Sequence, residues 1–302
     1  MSGKADSLKT IFLALGANFA IFVSKAVAAF LSGSGAMTAE AVHSLADCGN
    51  QLLLLFGMRG ARAPATPEHP LGRGKEIYFW SFLVALLLFS VGGAFSLYEG
   101  VHKLTAPEPL RWPWVAVGVL AFGIVAESFS MWGCLTEVNK ARGDLSLWRW
   151  FHQSRQSELI VIFGEDLAAL LGLTFALAAV LATYATGDPI YDAIGTLAIG
   201  ALLVVVAVFV AIEVKALLIG RSADPATRAA ILDFLNGRTE VKRVFNVITL
   251  QLGNEVMVAI KAEMAGDPST TNVVDSINAV EAAMKAQFPE IRWSFFEPDM
   301  AD

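Results

Sequence analysis

Long apolar blocks separated by short polar ones fill the first two thirds of this 302-residue chain. Six apolar stretches run over about 8–31, 37–58, 77–101, 113–136, 155–183 and 190–219, each near or above the ~20 residues that a spanning helix needs. Ser32-Gly-Ser-Gly-Ala36 has room only for a tight turn, so the first two stretches are expected to be antiparallel neighbours. After Gly220 the pattern becomes that of a soluble region. A helix is predicted over 224–236, with Asp224 as its cap and Pro225 at its first position. Residues 244–250 and 255–263 alternate apolar with polar around Gly253-Asn254, a hairpin signal. Helical spacing over 270–288 stops at Pro289, and 291–297 reads as a last strand. The expected fold class is a membrane all-α domain of six helices, residues 1–220, followed by a small cytoplasmic α+β domain, residues 221–302, of αββαβ order with helices on one face of a small sheet.

Composition supports the membrane reading, because 55% hydrophobic and 17% charged residues exclude an ordinary soluble domain. The net charge of −6 hides an uneven distribution and gives no reason to expect a nucleic-acid partner. Lys4 and Lys9 precede the first stretch, and Arg59, Arg62, Arg73 and Lys75 lie between the second and third. Lys140, Arg142, Arg149 and Arg155 lie between the fourth and fifth, and Arg221 follows the sixth. The alternate loops carry only Lys103 and Arg111. The positive-inside rule then puts both termini in the cytoplasm of a multi-pass protein of a cell (inner) membrane. The first stretch outruns a signal peptide's apolar region, so it is expected to be a membrane helix and not a cleaved leader. Cys48 and Cys134 form no CxxC motif and no disulfide framework.

The candidate chemistry starts at Glu40-Ala-Val-His43-Ser-Leu-Ala-Asp47-Cys-Gly-Asn50. His43 and Asp47 stand one helical turn apart on one face, with Glu40 and Asn50 close to the same stripe. A charged group at the centre of a membrane helix costs about 2.5–3.5 kcal/mol, so such residues are functional by default. An imidazole and a carboxylate at this spacing make half of a tetrahedral metal site. The fifth stretch supplies further ligands in Glu165 and Asp166. Adjacent helical residues point about 100° apart, and of the two Asp166 is the stronger candidate. Glu165 also reads as a cap or hydrogen-bond partner. Carboxylates gathered in apolar surroundings repel one another, and either a cation or protons relieve that repulsion. Exchange of a metal for protons through the same residues follows naturally.

These features resemble the cation diffusion facilitator family, six-helix exporters of divalent transition metals. The likeness rests on Ala39-Glu-Ala-Val-His43-Ser-Leu-Ala-Asp47, on His69-Pro-Leu-Gly-Arg-Gly-Lys75-Glu-Ile-Tyr-Phe-Trp80, on Asp192 early in the sixth stretch, and on the αββαβ tail. It covers nearly the whole chain. The resemblance implies a homodimer in which each protomer holds one transport site between the second and fifth spanning helices, exchanging metal for protons by alternating access. It further implies a charge pair between Lys75 and Asp224. The fifth helix of the family usually carries His-x-x-x-Asp or Asp-x-x-x-Asp, whereas Ile162 stands four before Asp166 here. The Glu165-Asp166 pair looks like that of a subgroup in which it substitutes. The expected metal ligands are His43, Asp47, Asp166 and Glu165, with Glu165, Asn50, Glu40 or a water open as the fourth. Zinc is the expected cargo because mixed nitrogen and oxygen ligands suit its tetrahedral preference. Iron, manganese, cobalt and nickel tolerate similar sites. No resident cofactor is expected.

An enzyme is not expected, since neither His-Glu-x-x-His nor Gly-x-Ser-x-Gly occurs. A membrane metal sensor without transport is the remaining rival class. His69 and His152 in the basic loops are weaker candidates for metal capture, and His102 reads as a plain loop histidine. Lys25 is expected to snorkel or to pair with a carboxylate. Asp192 reads either as lining an exit or as capping its own helix. All four histidines and both cysteines precede residue 222, so no tight transition-metal site is expected in the tail. Gly172, Gly195 and Gly200 read as close-packing positions between helices.

Overall fold

A computed structural model describes residues 3–266 and 270–301, with side chains described from residue 15 onward apart from 17, 270 and 271. The two leading stretches form α1 (Gly3–Ser32) and α2 (Gly35–Ala61). The third is one helical run, Glu76–Thr105, made of α3 (Glu76–Leu87), a π-helical segment (Leu88–Ala94) and α4 (Phe95–Thr105). Next come α5 (Pro113–Arg142), the short α6 (Leu147–Gln153), α7 (Ser157–Thr186) and α8 (Ile190–Ile219). The run Glu76–Thr105 and helices α5, α7 and α8 are long and apolar enough to cross a membrane. Pro113 opens α5 at a position where its missing N–H leaves no gap in the ladder. Helix α6 has no counterpart among the predicted elements. Ser146 caps it by accepting from the Arg149 amide, a local signal too short to show as periodicity.

Two compact units divide the chain. The first holds the residues up to Phe56, Trp80–Asp144 and Glu158–Glu213. Its core runs through Met37, Leu88, Leu120, Leu173, Ile199 and Leu203. Small residues let backbones meet there. A Cβ on Gly200 would stand 2.7 Å from the Leu97 amide nitrogen and 3.1 Å from the Gly93 carbonyl oxygen. A larger residue there would separate α8 from the third run, as expected for glycines between spanning helices.

Asp192, in the first turn of α8, caps α2 and not its own helix. Its carboxylate accepts from the Ser34 hydroxyl, from the Gly35 amide at 2.6 Å and from the Ala36 amide at 3.4 Å. Ser34 in turn accepts from the Met37 amide at 3.1 Å. Lys103 donates to the Gly33 carbonyl oxygen at 2.6 Å and completes the turn. The carboxylate is buried, so Asp192→Ala leaves three donors without an acceptor. We expect a loss of about 1–3 kcal/mol, read as a lower unfolding midpoint in detergent, with Asp192→Asn losing less.

The second unit holds Gly57–Phe79, Leu145–Ser157 and the chain from Val214 onward. In it α9 (Pro225–Asn236) starts at Asp224, whose carboxylate accepts from the Ala226 and Thr227 amides at 3.1 and 3.0 Å. Strands β1 (Val241–Leu252) and β2 (Glu255–Met264) form an antiparallel hairpin around Gly253, whose φ of +68° suits glycine. α10 (Thr270–Gln287) carries the chain over to β3 (Ile291–Pro298), which pairs parallel with β2 in the order β1-β2-β3. One sheet face packs on α9 and α10 through Ile231, Leu235, Val258, Ile260, Val280 and Met284. Ile248 and Phe295 stay exposed on the other face. The order αββαβ is as predicted.

The expected Lys75–Asp224 pair does not form. Lys75 donates to the Leu218 carbonyl oxygen at 3.5 Å, and the Asp224 carboxylate is already taken by the first turn of α9.

Candidate metal centre

Helix α2 carries the polar face that the sequence predicts. His43 is fully buried, and its Nδ1 lies 3.6 Å from Asp47 Oδ1. That is contact, but too long for a hydrogen bond. Among the described residues neither ring nitrogen of His43 has a hydrogen-bond partner, and Asp47 Oδ1 has none either. Buried polar atoms are almost always paired, so an imidazole and a carboxylate left open side by side form a site built for something else. The π-helical segment backs the ring, since a Cβ on Gly92 would stand 4.0 Å from His43 Nδ1. Such segments cluster at functional places in helices.

Helix α7 presents its two carboxylates in different directions. Asn50 of α2 donates through Nδ2 to Glu165, so Glu165 is the one that meets α2 directly. Asp166 turns to α5, where the Ser130 hydroxyl donates to its two oxygens at 3.3 and 3.2 Å. His43 and Asp47 are thus brought together, and Asn50 ties in Glu165. Asp166 is held on the α5 side by Ser130. Among the described residues no three His, Cys, Asp or Glu side chains stand in metal-holding geometry.

The electrostatic field joins the parts that the hydrogen bonds leave apart. Glu165 interacts with the charges of Asp47, Asp166 and Glu127, and Asp166 with those of Glu127 and Asp47. Glu127, on α5, also feels Asp47, Glu40 and Lys25. Glu127 is a fourth carboxylate that the sequence motifs do not single out. The rule that selects Asp47, an ionisable group inside an apolar stretch, also finds Glu127.

Lys25 supplies a cationic charge that acts on Asp47 and Glu127. Lys25 of α1 is buried, with its Nζ 3.0 Å from Glu40 Oε2 and 2.8 Å from the Ser44 hydroxyl. Gly123 of α5 leaves space beside the lysine stem, and Gly172 of α7 leaves space for Glu40. Glu40 is therefore engaged through Oε2, while its Oε1 has no partner among the described residues.

The weaker candidates are placed as follows. His69 sits in an exposed loop, exchanging backbone hydrogen bonds with Thr66 at 3.0 and 3.1 Å. His152 packs edge-on to Trp148, with centroids 4.4 Å apart. His102 stacks on Tyr98 at 6.3 Å.

Comparison with known proteins gives a consistent picture. The family described as the cation efflux transmembrane domain matches residues 11–219. The mitochondrial proton-coupled zinc antiporter SLC30A9 of Xenopus laevis is 33% identical over 262 residues, 86% of this chain and 46% of the relative. Metal tolerance protein C4 of Arabidopsis thaliana is 31% identical over 242 residues, 80% of this chain and 53% of the relative. The cation-efflux pump FieF of Cronobacter sakazakii is 27% identical over 276 residues, 89% of this chain and 85% of the relative. The chain spans about half the length of the first two. Antiporter and pump are names of transporters, not of enzymes.

Proposed function

The chain belongs to the cation efflux family, and from that premise we propose that it moves a divalent transition metal ion out of the cytoplasm in exchange for protons, with zinc as the main cargo. The observation that carries the reading is His43, buried beside Asp47 with both of its nitrogens open. An apolar ligand would leave those atoms unpaired. A metal ion takes one ring nitrogen of His43 together with the Asp47 carboxylate.

In this reading His43 and Asp47 bind first, and Glu165 and Asp166 close on the ion from α7. Glu165 must release Asn50, and Asp166 must release Ser130. Both exchanges replace a neutral donor by a dication, which a cluster of carboxylates in apolar surroundings favours strongly. Protons returning to the same carboxylates remove that advantage and free the metal. The mixed imidazole and carboxylate set suits zinc. The reading also holds six spanning helices over 1–220, both termini in the cytoplasm, and a homodimer paired through residues 221–302. The exposed Ile248 and Phe295 on the open sheet face support that pairing. The cytoplasmic orientation rests on the basic loops.

Purified protein in liposomes tests this. Zinc is expected to accumulate when a proton gradient is imposed, and to stop when a protonophore collapses it. Zinc flux that ignores the gradient would remove the proton coupling, and no flux at all would remove the transporter reading.

A further inference from the structure

A cavity of about 160 Å³ opens where the chain leaves α2, walled by residues 61–65, Gly72, Arg73, Glu255, Arg292 and Trp293. All of these belong to the second unit. Three arginines are among its wall residues, Arg62, Arg73 and Arg292, beside one carboxylate, Glu255. Two of them are braced. Arg73 pairs with Glu76, while Arg292 donates to Glu255 at 2.7 Å and lies over the Trp293 ring at 5.5 Å from its centroid. Each of these ion pairs uses one terminal nitrogen, so most of the five donors of each fork remain. The Arg62 side chain has no hydrogen bond or ion pair among the described residues. Gly72, at φ +73°, keeps the wall low beside Trp293, where a Cβ would stand 3.8 Å from the ring.

We infer that this cavity binds a phosphate group, either free phosphate or the headgroup of an anionic lipid. Guanidinium forks match the oxygens of phosphate two at a time. A tetrahedral oxyanion can serve three forks at once, whereas a carboxylate has only two oxygens to offer. Chloride would leave most of this volume empty. The ion pairs with Glu76 and Glu255 pre-orient two forks and leave Arg62 as the uncompensated charge that draws the anion in. Ala61 is the last residue of α2. If α2 spans the bilayer, as the transporter reading holds, the cavity lies at headgroup depth, where basic pockets collect lipid phosphates. The free-phosphate arm does not depend on that reading.

The test uses the full chain. Binding of inorganic phosphate is measured in detergent, and binding of phosphatidic acid is measured in phosphatidylcholine nanodiscs by native mass spectrometry. Arg62→Gln is expected to weaken binding about tenfold, the scale of losing one charge-assisted contact, with Arg62→Lys falling between. Arg228→Gln removes the same charge from α9 and is expected to leave binding unchanged. Binding in detergent identifies free phosphate as the ligand, and binding only in nanodiscs identifies the lipid. Equal losses in Arg62→Gln and Arg228→Gln, or no binding of either probe, would overturn the site. Zinc transport is not part of this readout, so failure here leaves the transport reading standing.

Discussion

His43→Ala and Asp47→Ala are each expected to bring zinc uptake in proteoliposomes down to the level of empty vesicles, with the protein still folded. Loss of a mere hydrogen-bond partner of a metal ligand costs about 10–100-fold in affinity or activity, and loss of the ligand itself should exceed that. Both side chains already stand open, since His43 Nδ1, His43 Nε2 and Asp47 Oδ1 have no hydrogen-bond partner among the described residues. Truncating them therefore breaks no internal hydrogen bond, and stability should hardly change. That separates a transport role from a structural one. Near-normal uptake by Asp47→Ala with an unchanged melting curve would sink the proposed centre. The α7 carboxylates extend the test. Glu165→Ala breaks the bond with Asn50 and Asp166→Ala the bonds with Ser130, so a loss of uptake in both variants is expected if both close on the metal.

The parts of the molecule that periodicity governs were legible in the sequence. Pro225, Gly253 and Pro289 mark element ends by backbone chemistry alone, and the αββαβ order follows from them. His43 and Asp47 were legible because four residues along one helix fix their mutual position, whatever else the chain does. Contacts between helices were not. Glu165 and Asp166 are neighbours in sequence, yet only packing decides that one meets α2 and the other α5. Asp192 shows the same limit. A carboxylate in a helix's first turn reads as serving that helix, whereas its bonds go to α2, 157 residues away. The π-helical segment at Leu88–Ala94 left no trace in an apolar run where every residue is compatible with either helix. Lys25 was expected to snorkel or to find a carboxylate, and the fold gives it Glu40.

That pair leads to the largest stability effect we expect. Lys25→Met keeps the apolar stem but removes the ammonium, leaving the buried Glu40 without the cation that it pairs with among the described residues. Breaking a buried pair from one side costs about 3–5 kcal/mol, because the surviving charge has lost water and gained nothing. In detergent this should lower the melting temperature by on the order of 10 °C. The double variant Lys25→Met with Glu40→Gln removes both charges at nearly constant volume and should recover most of the loss, since a neutral pair carries no such penalty. Gly123 and Gly172, which make room for the two side chains, keep that volume available in either variant. The cycle separates charge from packing. If the single variant melts with the wild type, neither bond of Lys25 holds α1 to α2; if the double melts no higher than the single, the loss comes from the bond from Lys25 to the Ser44 hydroxyl at 2.8 Å, which both variants lack.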